Sequence, residues 1–167
     1  MRSFDAIVSN GCEADDLIGI EQMSYFRNGS EDSCIVSIDK DLNCIPGWHF
    51  NPGLTRKGVV IKEPTRYLVS PKDALRFFYT QLLVGDTADG IKGAAGIGPV
   101  KAKKILENCE TEWDYYQTCL EHFSCEEELA LNAKCLHIWQ KENDIWKAPL
   151  EPGKEAQLHS ECSETGN

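Results

Sequence analysis

No Cys-x-x-Cys pair occurs in this 167-residue chain, although it holds eight cysteines, at 12, 34, 44, 109, 119, 125, 135 and 162. That spacing gives no zinc framework, and nothing in it marks a disulfide scaffold; the cysteines read as reduced, apolar thiols. Long hydrophobic runs are missing as well, so no membrane span is expected. The opening "MRSFDAIVSNGCEADD" has no basic stretch followed by an apolar one, so it does not read as a secretory signal, and a cytoplasmic protein is expected. No internal repeat is present.

Bases are scarce at one end. The net charge is −10, but residues 1–106 hold 13 acids and 13 bases, whereas residues 107–167 hold 14 acids and 4 bases. Between Gly90 and Leu106 there is no acid at all, while Lys92, Lys101, Lys103 and Lys104 lie there. The acidic total therefore hides a local basic patch of the kind that meets a phosphate backbone.

What is present alternates between strand and helix. "FDAIVS" reads as a strand, and "GCEADDLIGIEQMSYFR" as a helix with acids in its first turn, where the dipole favours them. "SCIVSID" reads as a buried parallel strand ending at Asp39. "KGVVIKE" and "TRYLVS" read as two short strands forming an edge pair. Ser70-Pro71-Lys72-Asp73 has the signature of a helix start, and "PKDALRFFYTQLLV" follows with Leu75, Phe78, Tyr79 and Leu82 on one face. Gly85 ends it. "GIG" at 96–98 is a tight turn, Pro99 starts the next helix, Thr111 and Asp114 cap another, and residues 126–147 read as a last one. From Pro149 the composition is that of a disordered tail. The pattern implies an α/β fold around a parallel sheet over residues 1–70, a helical region over 71–148 and a tail over 149–167.

Three tight carboxylate groups stand out: Glu13, Asp15 and Asp16; Asp39 and Asp41; Asp86 and Asp89. Each alone is an ordinary capped turn. In an open parallel sheet, however, sites form beyond the carboxyl ends of strands, and Asp39 and Glu13 both follow predicted strands. The spacing of three puts Glu13 with Asp16, and Asp86 with Asp89, on shared helical faces. Carboxylates converging there repel one another unless cations intervene. Hard oxygen donors without His or Cys suit Mg²⁺ or Mn²⁺, and two such ions hydrolyse phosphodiesters. Just beyond the last pair, Gly96-Ile97-Gly98 offers bare amides ahead of a helix bearing Lys101, Lys103 and Lys104, an arrangement for binding phosphates without reading bases.

"EADDLIG", "SIDKDL" and "GDTADGIKGAAGIGPVKAKKIL" occur in the order and spacing of the 5′-nuclease family. That family comprises phage 5′–3′ exonucleases, flap endonucleases and the 5′-nuclease domain of bacterial DNA polymerases. The resemblance covers about residues 5–108, and "LNAKCLHIWQKENDIWKAP" looks like the ends of phage members. It implies a PIN-like α/β sheet and a helix–hairpin–helix region that binds duplex or flap DNA, with K⁺ at the hairpin backbone. By resemblance Glu13, Asp15, Asp16, Asp39, Asp41, Asp86 and Asp89 are metal ligands, with Asp39, Asp41 and Asp86 central to catalysis. Lys92, Gly93, Gly96, Ile97, Gly98, Lys101, Lys103 and Lys104 then form the DNA contact. The expected protein is a monomeric 5′–3′ exonuclease or flap endonuclease, in the host cytoplasm if phage-encoded. Family members carry a central strand, further acids and a basic arch upstream of the first motif, and only twelve residues precede Glu13. The chain therefore reads as the N-terminally truncated, C-terminal part of such a nuclease. The alternative is a DNA-binding remnant that keeps the hairpin without catalysis.

Overall fold

The computed structural model describes residues 6–154. Phe4 and Asp5 of the first expected strand, Cys162, and the expected tail beyond 154 lie outside the described residues. The chain is mixed α/β, with small sheets and, among the described residues, five α-helices. It forms two compact units: residues 6–78 with 137–145, and residues 79–136 with 146–154.

In the first unit, helix α1 runs Ala14–Arg27, with Asp15 and Asp16 in its first turn and Arg27 in its last, as the helix dipole prefers. Strand β1 (Cys34–Val36) pairs in parallel with β2 (Gly47–Asn51), and β2 pairs antiparallel with β5 (Thr65–Val69), giving the order β1-β2-β5. The sheet is therefore not wholly parallel as expected. The excursion between β2 and β5 is a short hairpin, and a direct return favours antiparallel pairing, since a parallel return needs a crossover of a dozen or more residues. That hairpin joins β3 (Leu54–Arg56) to β4 (Val59–Lys62) through Lys57 and Gly58, both at positive φ, the turn that matches strand twist. So "KGVVIKE" pairs with β3 and "TRYLVS" with β2, and the two do not form the expected edge pair. Residues 6–9 form no strand. Ile7 and Val8 are exposed there, and β1 has β2 as its one partner among the described residues. An apolar groove of about 490 Å³ runs between α1 and β1, lined by Leu17, Ile18, Cys34, Ile35 and Val36 with Ile7. Met23, Ile35, Leu42, Ile45 and Val69 form the core.

Helix α2 (Pro71–Val84) begins where its sequence says. The Ser70 hydroxyl accepts from the Asp73 amide (3.1 Å) and donates to the Asp73 carboxylate (2.6 Å). Of the expected face, Phe78, Tyr79 and Leu82 are buried, with Ala74 and Leu83, whereas Leu75 is only half-buried. The second unit follows with β6 (Gly85–Asp86) and β7 (Ile91–Lys92), an antiparallel pair, then α3 (Pro99–Ile105), α4 (Glu112–Leu120) and α5 (Glu126–Leu136). Tyr79 stacks on Tyr115 at 5.5 Å between ring centres, and Leu82, Leu106, Cys119 and Leu129 are sealed from solvent around them. Burial raises the thiol pKa of Cys119 well above its ordinary value and leaves it an inert core residue. No helix among the described residues is long and apolar enough to cross a membrane.

The expected last helix, 126–147, stops at Leu136. The Asp144 carboxylate accepts from His137 Nε2 (3.2 Å) and from the Gln140 amide (3.0 Å), which folds 137–145 into an ordered loop. Asn143 at φ +56 completes the bend.

Candidate functional site

The first acid group is built by the start of α1. Glu13 is its N-cap, exposed and extended (φ −78, ψ 161). Asp16, three residues on, turns back so that its Oδ2 accepts the Glu13 amide at 2.9 Å. Asp15 is half-buried between them. The second group lies past β1, which ends at Val36, so Asp39 sits on an exposed loop and not at the strand end as expected. Its amide donates to Ser37 Oγ (3.0 Å), and its Oδ1 accepts the Asp41 amide (2.9 Å). Asp41 opens a short 3₁₀ turn, Asp41–Cys44, and pairs with Lys40 Nζ at 3.1 Å.

These two groups share one electrostatic neighbourhood. The Asp15 carboxyl is raised above its ordinary value first by burial, then by Asp39, Glu13, Asp16 and Asp41 in that order. The same field reaches inward: burial pushes the Cys44 thiol up to about 12, with Asp41 and Asp15 adding to it. Four acids from two chain segments thus add to the cost that burial sets on ionising Asp15. No three of the described His, Cys, Asp and Glu side chains stand close enough together to hold a metal ion.

Asp86 and Asp89 belong to the second unit. The helical spacing argument does not apply to them, because α2 ends at Val84. Asp86 lies on β6, where its Oδ1 accepts the Ala88 amide at 2.8 Å, and Asp89 is exposed in the turn that follows. This is a side-chain turn that holds the β6–β7 connection.

The glycine segment divides cleanly into inside and outside. Ala94, Ile97, Ala102 and Leu106 are buried, while Gly96, Gly98, Lys101, Lys103 and Lys104 are exposed. Gly96 needs its φ of +70, and a Cβ at Gly96 or Gly98 would meet nothing within 4 Å, so the backbone there is open to approach. Gly93 is different: a Cβ would overlap the Leu83–Gly85 backbone, so this glycine serves close packing. Lys92 is exposed on β7, and its carbonyl accepts Asn132 Nδ2 at 2.6 Å.

Two features of the first unit escape a reading by pattern. Gly19, inside α1, faces the chain at 138–139: a Cβ there would overlap the Trp139 carbonyl oxygen and come within 3.1 Å of Ile138 Cγ2 and 3.2 Å of Ile45 Cδ1. The Trp139 amide donates to Asp16 Oδ1 at 2.9 Å. A segment more than a hundred residues downstream therefore touches the acid group directly. The one sequence signal is a glycine in mid-helix, where helix propensity disfavours it.

Among curated proteins the chain is similar to three bacterial DNA polymerases I. It is 31% identical to that of Bacillus caldotenax over 106 residues, which are 59% of this chain and 12% of that protein. The identity to the Rhizobium leguminosarum protein is 32% over 110 residues, 64% of this chain and 10% of the relative. For Bacillus subtilis strain 168 it is 31% over 108 residues, with shares of 59% and 12%. No protein-family model and no solved structure matches the chain. The chain spans about a tenth of the length of the curated relatives it matches, so its similarity is to one part of DNA polymerase I.

Proposed function

We propose that this chain is a 5′-nuclease region: a PIN-like α/β part carrying a divalent-metal site, and a helix–hairpin–helix part that binds duplex or flap DNA. The observation that carries this reading is the gathering of Glu13, Asp16, Asp39 and Asp41 around Asp15, whose carboxyl is raised first by burial and then by these four neighbours. Like charges held together are costly even with Lys40 paired to Asp41, and a hard divalent cation lowers that cost with the donor type it prefers. By the family pattern Glu13, Asp15, Asp16, Asp39, Asp41, Asp86 and Asp89 would hold Mg²⁺ or Mn²⁺, although no three of the described ones stand close enough together here, so an ion would have to draw them in. When bound, such ions supply the positive charge that activates water and stabilises the leaving oxygen in phosphodiester hydrolysis.

The chain's own residues supply the rest. Asp39 and Asp41 sit on a loop whose shape is fixed by the Ser37 and Asp39 side chains, so their carboxylates are held in place. The open amides at Gly96 and Gly98, with Lys101, Lys103 and Lys104, offer a phosphate-binding face, with K⁺ at the same backbone. The similarity to part of DNA polymerase I favours DNA over other phosphodiesters.

The test is a 5′-flap or nicked duplex incubated with the chain and Mg²⁺. Cleavage that Asp39→Asn abolishes supports hydrolysis by these acids. Duplex binding without cleavage gives the second reading, a non-catalytic DNA-binding region. Absence of both Mg²⁺-induced stabilisation and salt-dependent duplex binding overturns the proposal.

A further inference from the structure

The three-stranded sheet of the first unit has one open face. Side chains alternate along a strand, and the register pairs Cys34 with Trp48, Val36 with Phe50, Trp48 with Leu68 and Phe50 with Arg66. These six residues therefore share a face. Cys34, Val36, Arg66 and Leu68 are exposed, and Trp48 and Phe50 half-buried. Ile35, Gly47, His49, Asn51 and Val69, which point the other way, are all buried. A sheet face left to water is ordinarily polar. This one carries four large apolar side chains, with Val36 65% and Leu68 55% exposed.

Two observations say what fits it. Trp48 and Phe50 stand two apart on β2, and Arg66 Cζ lies 4.1 Å from the centre of the Trp48 ring. Arg66 is also the cross-strand neighbour of Phe50. Flat rings and a flat guanidinium on a sheet are surfaces on which unpaired bases stack. A duplex keeps its base faces inside its own stack and cannot use them. The second observation is charge. Residues 42–72 hold one acid, Glu63, against five bases, Arg56, Lys57, Lys62, Arg66 and Lys72. Arg56, Lys57 and Lys62 are exposed on the β3–β4 hairpin, which leaves the sheet after Asn51 and rejoins it at Thr65. A protein partner would account for the apolar side chains but not for the excess of bases. A strand of phosphates bearing free bases accounts for both.

We propose that this face binds single-stranded DNA, with bases stacked against Phe50 and the Arg66–Trp48 pair and phosphates on Arg56, Lys57 and Lys62. The surface belongs to the first unit, whereas the glycine turn belongs to the second, and it needs no metal ion. The choice of DNA rests on the reading above; stacking and phosphate contacts by themselves serve RNA equally.

Fluorescence anisotropy on the metal-free chain tests it, with labelled oligothymidylate and, separately, a labelled duplex. Arg66→Ala and Leu68→Glu change exposed side chains outside the core. Each should weaken oligothymidylate binding by about tenfold, within the range set by one lost base stack. Replacing Arg56, Lys57 and Lys62 together with Ala should reduce the single-strand salt slope by about two, at roughly 0.7 per phosphate contact. Duplex binding at the glycine turn should be unchanged in all three variants. The Lys101, Lys103 and Lys104 triple variant should lose duplex binding and keep oligothymidylate. A parent that binds no oligothymidylate, or binding that survives both Arg66→Ala and Leu68→Glu, overturns the inference. A dimer that Leu68→Glu dissociates, in a chain that binds no oligothymidylate, overturns it in favour of a second copy. Oligouridylate bound more tightly than oligothymidylate overturns it in favour of RNA. Oligothymidylate binding that Arg66→Ala and Leu68→Glu weaken, in a chain that binds no duplex, supports the inference and sinks only the duplex reading.

Discussion

Gly19 and Asp15 show how single residues answer to their surroundings. Alanine at 19 would improve helix propensity by about 0.5–1 kcal/mol. The added methyl, however, overlaps a backbone carbonyl, which moves less easily than a side chain, and overpacking of this kind costs about 1–3 kcal/mol. Gly19→Ala should therefore lower stability in urea denaturation, and a variant as stable as the parent would mean that the 138–139 segment does not pack there. Asp15 carries the opposite lesson, that a native residue strains the fold. Its folded pKa lies above its ordinary value, so its stabilising contribution is complete below about 3.8 and is lost as pH rises through the raised value. At neutral pH without metal, Asp15→Asn should melt at a higher temperature than the parent. Saturating Mg²⁺ should reverse the order by stabilising the parent alone, by about 2.7 kcal/mol at a hundred times its Kd. Parent and variant responding alike to Mg²⁺ would place the ion elsewhere.

Helix α4 shows what a short element depends on. It has nine residues, too few to be stable alone, and it begins with a capping box. Thr111 Oγ1 accepts the Asp114 amide at 3.2 Å, and the Asp114 carboxylate accepts the Thr111 amide at 2.8 Å. The Thr111 bonds are the main reason that the Asp114 carboxyl lies below its ordinary value. Thr111→Ala should cost about 1 kcal/mol in denaturant unfolding, and loss of the cap should bring the Asp114 titration, followed by NMR, back toward the ordinary carboxylate range. An unmoved titration would mean that the cap bonds do not form. Elements that begin with such local chemistry, α2 and α4, were legible in the sequence. β2 was not: "GWHFN" is short, opens on glycine and buries its polar His49 and Asn51 while Trp48 and Phe50 stay half-buried, the reverse of the usual alternation, and it is a strand because β1 and β5 flank it.

At the scale of the whole molecule the two units divide the chemistry. The first holds Glu13, Asp15, Asp16, Asp39 and Asp41, and the second holds Asp86, Asp89 and the glycine turn with its lysines. The net charge of −10 is carried by residues 107–167, so the proposed duplex binding is expected at the acid-free patch between Gly90 and Leu106. Replacing Lys101, Lys103 and Lys104 together with Ala should weaken duplex binding across all sequences and reduce the salt slope by up to about three, roughly one per phosphate contact. Fluorescence anisotropy across a range of salt concentrations measures both. An unchanged slope would show that the lysines are merely solvated.

By itself the sequence determined what local rules control. It placed the starts of α1, α2, α3 and α4, the glycine turn with its lysines, and the three acid groups, because capping, glycine conformation and charge are set within a few residues. Tertiary structure decided what depends on distant chain. It made β2 a strand, turned β5 antiparallel, took Asp86 and Asp89 off any helix, and ended α5 at Leu136. It also brought Trp139 to Asp16, a contact between residues 123 apart in the chain, which no local pattern encodes. Helix propensity could carry 137–147 onward, but the Asp144 carboxylate, the gap at Gly19 and the acceptor on Asp16 together hold a loop there instead.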